Sequence, residues 1–183
     1  MIPALLLAQA CNNRWSNHRL LGACARLPAS ALQAPQPAAF FGSLWALLTH
    51  LLDVDRFYLD ALHDQPRPYR DESWADLATL LEAQAASDQR LIALCRRLDP
   101  EQLGQLITLP RASGPVREQR LRTLQHLFVH QLHHRGQAHA LLLASGLAPP
   151  QLDEFFLAQD EPLRRAELAA LGIDEGELWG SAP

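Results

Sequence analysis

Four long stretches carry apolar residues at helical spacing, separated by breaks of proline, glycine or aspartate. The first spans Pro3 to Leu27 and stops at Pro28; proline at position three suits a helix's first turn, where its missing N–H is not needed. The second spans Ala38 to His63, with Pro35 and Pro37 before it and Pro66 and Pro68 after it. The third spans Ser73 to Leu98, Ser73 standing as an N-cap before an acidic first turn. The fourth spans Arg117 to Ser145 and closes at Gly146. Residues Leu103 to Val116 read as a short hairpin or an irregular loop. Glu161 to Leu171 reads as a short helix, and the tail from Gly172 as loosely held. The pattern predicts an all-α protein, a four-helix bundle over residues 1–157. Residues 158–183 form a C-terminal extension packed on the bundle or trailing from it.

Composition narrows the class. Apolar residues make up 48% of the 183, so a substantial core is available. The formal charge is −4, and all 16 cations are arginine; this is not the basic footprint of a nucleic-acid binder. No run approaches the roughly 20 apolar residues of a membrane span. The apolar N-terminus lacks a basic leader region and reads as the opening turns of the first helix. Cys11, Cys24 and Cys95 are far apart and odd in number, which points to buried small hydrophobes in a reducing cytoplasm rather than to disulfides. Serine-nucleophile motifs, phosphate loops and dinucleotide fingerprints are absent from the sequence.

The chemistry concentrates in helix four. Five of the eight histidines, His126, His130, His133, His134 and His139, fall within fourteen residues. His130 and His134 are four apart and share a helix face, so two imidazoles can converge on one ion at about 2.0–2.1 Å. The bland alternative is a set of half-exposed histidines or core histidines bonded to backbone or carboxylates. Apolar neighbours Leu127, Phe128, Leu141 and Leu142 argue for burial, and a buried imidazole row needs its nitrogens satisfied. Gly136 in mid-helix suggests close approach of another element. A third ligand should come from a facing helix, and His50 sits among leucines in helix two. Asp53 and Asp55 follow it, either as carboxylate partners of a ligating imidazole or as surface partners of Arg56 or Arg19. His126 is the rival ligand; His133 points toward a neighbouring helix or a subunit interface.

The chain resembles the DinB/YfiT-like family over about residues 5–157. The resemblance rests on Asn13-Arg14-Trp15-Ser16-Asn17 with Leu20-Leu21, on Phe41-Gly42-Ser43-Leu44 leading to Thr49-His50-Leu51-Leu52-Asp53-Val54-Asp55-Arg56, and on the block from His126 to Gln137 followed by Leu147-Ala148-Pro149-Pro150. It implies a homodimeric four-helix up-and-down bundle with a divalent metal, Zn²⁺ or Ni²⁺, held by His50, His130 and His134. One departure is visible. The family often places tyrosine before the helix-one asparagine, where this chain has Asn12, and its small-molecule substrate is expected to differ accordingly.

Three neutral imidazoles leave an ion its full charge and an open position, as catalytic rather than structural zinc sites do. The resemblance implies a metal-dependent transferase that activates a low-molecular-weight thiol. Asn13, Asn17, Arg135 and Gln137 are candidates for lining or supporting the cavity, with a surface arginine and a packing glutamine as the plainer readings of the last two. The alternative function is a non-catalytic metal-binding stress-response or interaction module. Metal-water hydrolysis ranks third, because Gln131 stands where an HExxH motif has its glutamate.

Overall fold

The computed structural model describes residues 2–37 and 39–180. It is mostly helical: α1 (Ile2–Cys24), α2 (Ala29–Gln33), α3 (Leu44–Leu62), α4 (Leu77–Arg97), α5 (Pro100–Gly104), α6 (Arg120–Ala144), α7 (Glu161–Leu171) and α8 (Glu175–Trp179). One antiparallel hairpin, β1 (Leu106–Leu109) with β2 (Val116–Gln119), pairs Leu106 with Gln119 and Leu109 with Val116.

Local chemistry sets the helix starts. Ser43 caps α3, its Oγ accepting from the Ala46 amide at 3.1 Å, which moves the start well past Ala38. Ala38 itself lies outside the described residues. Asp76, not Ser73, caps α4, because Thr79 three residues on completes a reciprocal capping box. Helix α6 begins at Arg120 rather than Arg117, since residues 116–119 are recruited into β2. The tail from Gly172 is more ordered than expected. Gly172 takes the left-handed conformation (φ 66°) that ends α7, and the Ile173 amide turns back onto the Leu168 carbonyl. Ile173 and Leu178 are then buried. Residues 181–183 lie outside the described residues.

The four long helices pack in a ring, α1 and α3 each lying against both α4 and α6. Their directions correct the simple up-and-down expectation. Gln84 meets Asp55 and Arg90 meets Asp60, so residue numbers rise together and α3 and α4 run parallel. His50 faces His130 and Tyr58 faces His126, so α3 and α6 are antiparallel. The reason is the connector at residues 63–76. Pro66 and Pro68 keep it from continuing the helix, and it doubles back along α3. Arg67 reaches Asp60, the Tyr69 ring stands 6.1 Å from Phe57, and the Glu72 amide donates to Asp53. An extended run of this length spans about 46 Å, enough to return past a 19-residue helix of about 28 Å.

The core is divided. One apolar cluster holds Trp15, Phe57, Tyr58, Ile92, Leu124 and Phe128; the other holds Leu20, Leu44, Leu48, Leu52, Leu80 and Leu142. Between them each long helix contributes buried polar side chains: Asn13 and Asn17, Asp55, Gln84 and Asp88, Gln131 and Arg135. The C-terminal helices close the first cluster by packing on α1. Buried Arg164 fastens them, pairing with Glu175 at 2.6 Å and Glu154 at 3.1 Å and donating to the Leu157 carbonyl. Arg164→Ala strands two carboxylates there and is expected to destabilise the fold by about 2–4 kcal/mol in urea denaturation.

Candidate metal centre

His50 projects from the first half of α3 toward α6, where His130 and His134 stand one turn apart on the facing stripe. The three side chains converge. Their ring centroids are 5.1 Å (50–130), 4.9 Å (50–134) and 4.3 Å (130–134) apart. One nitrogen from each lies within 4.8 Å of the other two, and His50 Nε2 stands 3.1 Å from His130 Nε2. Nitrogens on a tetrahedral ion at 2.0–2.1 Å stand roughly 3.3 Å apart. The histidine donor set therefore fits a divalent cation, with small side-chain rotations closing the wider pair.

Charge state agrees with that fit. Burial, then neighbouring His134, His50, His126 and His133, pushes His130 down to about 3. Burial and His134 lower His50, against a small upward pull from Asp71. Burial also lowers His134, partly offset by its bond to Gln137. The rings are thus uncharged at neutral pH, each keeping one lone-pair nitrogen, the form a metal needs. Gln137 settles which nitrogen His134 offers: its Oε1 lies 2.8 Å from His134 Nδ1, which must donate, leaving Nε2 free. His133 in turn accepts from Gln137 Nε2 at 3.1 Å, so the amide is held from both ends. His130 Nδ1 is buried and has no partner among the described residues. The Phe41 ring covers the cluster, 4.4 Å from His50 and 5.4 Å from His134, and with Gln137 it borders a cavity of about 180 Å³.

Several expectations change. His126 lies 6.5 Å from His130, outside the cluster, and His133 serves Gln137 rather than a neighbouring helix. Neither Asp53 nor Asp55 bonds an imidazole. Asp53 anchors the connector through the Glu72 amide, and Asp55, five residues past His50, lies about 140° around α3 and faces Gln84. Nor are they surface partners, since Arg56 pairs with Glu72 and Arg19 with Glu167. Gln137 occupies the supporting position proposed for a carboxylate. Gly136 is exposed, and a Cβ there would meet nothing within 4 Å, so no element of this chain exploits it. Asn12 is buried and donates to the Glu154 carbonyl at 2.8 Å, tying α1 to the chain beyond α6.

Arg135 is not a surface residue. Its Nη1 donates to Asn13 Oδ1, to Asn17 Oδ1 at 3.1 Å and to Gln131 Oε1 at 3.2 Å. The Asn13 and Asn17 amides donate to Asp88 Oδ1, and Gln84 bridges Asp88 to Asp55. Burial raises Asp55 to about 6, and burial with the nearby Asp55 charge raises Asp88 to about 7. One guanidinium thus serves two carboxylates. Gln84, Asp88 and Gln131 were not anticipated; polar residues recurring at inward helix positions were the available signal.

Three neutral histidines brought together by facing helices of a mostly helical chain form a group that could hold a metal ion. The DinB family matches residues 6–166, and the chain belongs to that family. No functionally curated protein matches it significantly.

The raised Asp88 has a readable sign. The folded carboxyl stays protonated up to about pH 7 while the unfolded one ionises near 3.8, so its contribution to stability falls as pH climbs through that window. Asp88→Asn removes the loss. Its stability relative to the parent should improve by roughly 2–3 kcal/mol between pH 5 and pH 8 in urea denaturation followed by circular dichroism.

Proposed function

We propose that the protein is a divalent-metal enzyme in which His50, His130 and His134 bind Zn²⁺ or Ni²⁺ and a low-molecular-weight thiol is transferred to a small electrophile. The observation that carries this reading is the meeting of three unprotonated imidazoles beneath Phe41. Bound there, the ion would supply a Lewis acid able to hold a thiol deprotonated near neutral pH. Gln137 orients His134, and Phe41 keeps water off one side of the cluster. The sulfur bonds to the electrophilic carbon, the displaced group leaves with its electron pair, and the thiol proton goes to solvent.

The chain's own cysteines support an external thiol. Cys11, Cys24 and Cys95 are free and buried, and burial pushes them up to about 11, 12 and 12. None is a thiolate at neutral pH. Such thiols fit a cytoplasmic setting, and no described helix is long and apolar enough to cross a membrane.

The expected assembly is a homodimer through α6. Val129, Leu132, Gly136, Ala140 and Leu143 form an exposed stripe with three- and four-residue spacing, Val129 and Leu143 being 61% and 64% exposed. Gly136 stands at its middle, where a two-fold copy of α6 can cross closely. Light scattering should give twice the 20.4 kDa chain mass, and Val129→Glu with Leu132→Glu should give the monomer. A monomeric parent protein overturns this assembly.

Elemental analysis should find one divalent ion per chain, lost when His130 and His134 are both replaced by alanine. Gln137→Ala should weaken the ion about 10- to 100-fold. Metal-loaded protein should consume thiol with electrophiles above the metal-free control. Bound metal without consumption favours the non-catalytic module, and hydrolysis without thiol favours the hydrolase.

A further inference from the structure

Arg111 lies in the turn between β1 and β2. Its guanidinium carbon sits 5.5 Å from the Phe57 ring centre and 5.8 Å from that of Tyr58, and Nη2 donates to the Tyr58 hydroxyl at 3.2 Å. No carboxylate pairs with it among the described residues. The acids of the adjoining face are engaged elsewhere: Asp60 with Arg90 at 2.8 Å, Glu72 with Arg56 at 3.0 Å, and Asp53 with the Glu72 amide.

The position of this cation is informative. The Tyr58 ring stands 5.1 Å from His126, and His126 stands 6.5 Å from His130. Arg111, Tyr58, His126 and the histidine cluster therefore follow one another along the seam where α3 packs on α6. His126 is exposed, and so is Arg111. An arginine parked on two aromatic faces has already lost much of its rotational freedom, so capturing an anion costs less ordering. Its fork retains four N–H donors, which suits a planar carboxylate.

We propose that Arg111 is a specificity residue that captures a carboxylate on the thiol partner, with the sulfur at the histidine cluster and the carboxylate about two helical turns, roughly 10 Å, along the seam. This rests on the metal–thiol reading above. It narrows the thiol to an acid long enough to bridge the two points. Tyr58 is the positioning residue, holding Arg111 in place through its hydroxyl.

Cobalt-loaded protein titrated with mercaptohexanoate and with mercaptohexanol tests the assignment, the sulfur-to-cobalt charge-transfer band reporting binding of each. The acid should bind about tenfold more tightly than the alcohol. Arg111→Gln should erase that preference while leaving the alcohol's affinity unchanged. Arg117→Gln, on the same hairpin and bonded to the Leu106 carbonyl, should keep it. Equal binding of acid and alcohol by the parent protein, or a preference that survives Arg111→Gln, overturns the proposal while leaving the metal–thiol reading intact. A parent protein that shows no charge-transfer band with either thiol overturns that reading and this proposal together.

Discussion

Burying the Arg135 guanidinium obliges the other long helices to bring polar partners to the same level. Helix α1 supplies Asn13 and Asn17, α3 supplies Asp55, α4 supplies Gln84 and Asp88, and α6 adds Gln131. A lone buried charge is expensive, so an offset in helix register that breaks these contacts is strongly penalised. The apolar clusters above and below, one mixing leucine with aromatics and the other mostly leucine, tolerate sliding more readily, because apolar contacts carry less directional demand than hydrogen bonds to a charge. The layer therefore acts as a registry device, and it lies beside the histidines: Gln131 follows His130 and Arg135 follows His134. Whatever sets α6 against α3 also sets the three imidazoles.

The same burial leaves the imidazoles uncharged. Three half-buried rings within 5.1 Å of each other cannot all take up a second proton, and none of them bonds a carboxylate among the described residues. Nitrogen lone pairs crowded together repel unless a proton or a cation sits between them. The polar layer and the histidine cluster thus solve different problems with different chemistry. One neutralises a charge internally, whereas the other keeps unshared electron pairs for an outside group.

What the sequence revealed follows from how local each feature is. The His130–His134 spacing is a property of one helix and could be read directly; His50 needed only a leucine-rich context and the assumption of a facing helix. The hairpin was legible as one of two options, because Pro110 and Gly114 break helices without specifying what replaces them. Helix directions were not legible. The parallel pairing of α3 with α4 depends on how residues 63–76 travel, and proline says only that they are not helical. Asp55 could be read as an imidazole's partner or a surface acid, and Asp88 drew no reading, since burial is decided by partners on other helices. For the same reason Arg135 could be read either as a cavity residue or as a surface arginine, and Gly136 meets no other element of its own chain. Ser73 and Asp76 were equally good caps by residue type, and only Thr79 decided between them.

His50 and His130 are separated by 80 positions in the chain, yet their rings touch across one seam. An ion gripping both would behave as a removable cross-link. It would close a loop containing the connector, α4, α5 and the hairpin, and would restrict the unfolded ensemble much as a distant disulfide does. Because α6 comes after all of those segments, the grip can tighten only when the last long helix docks. With an ion bound, cation capture and completion of the native topology would be the same event, and free-metal concentration would control how long the assembled chain persists.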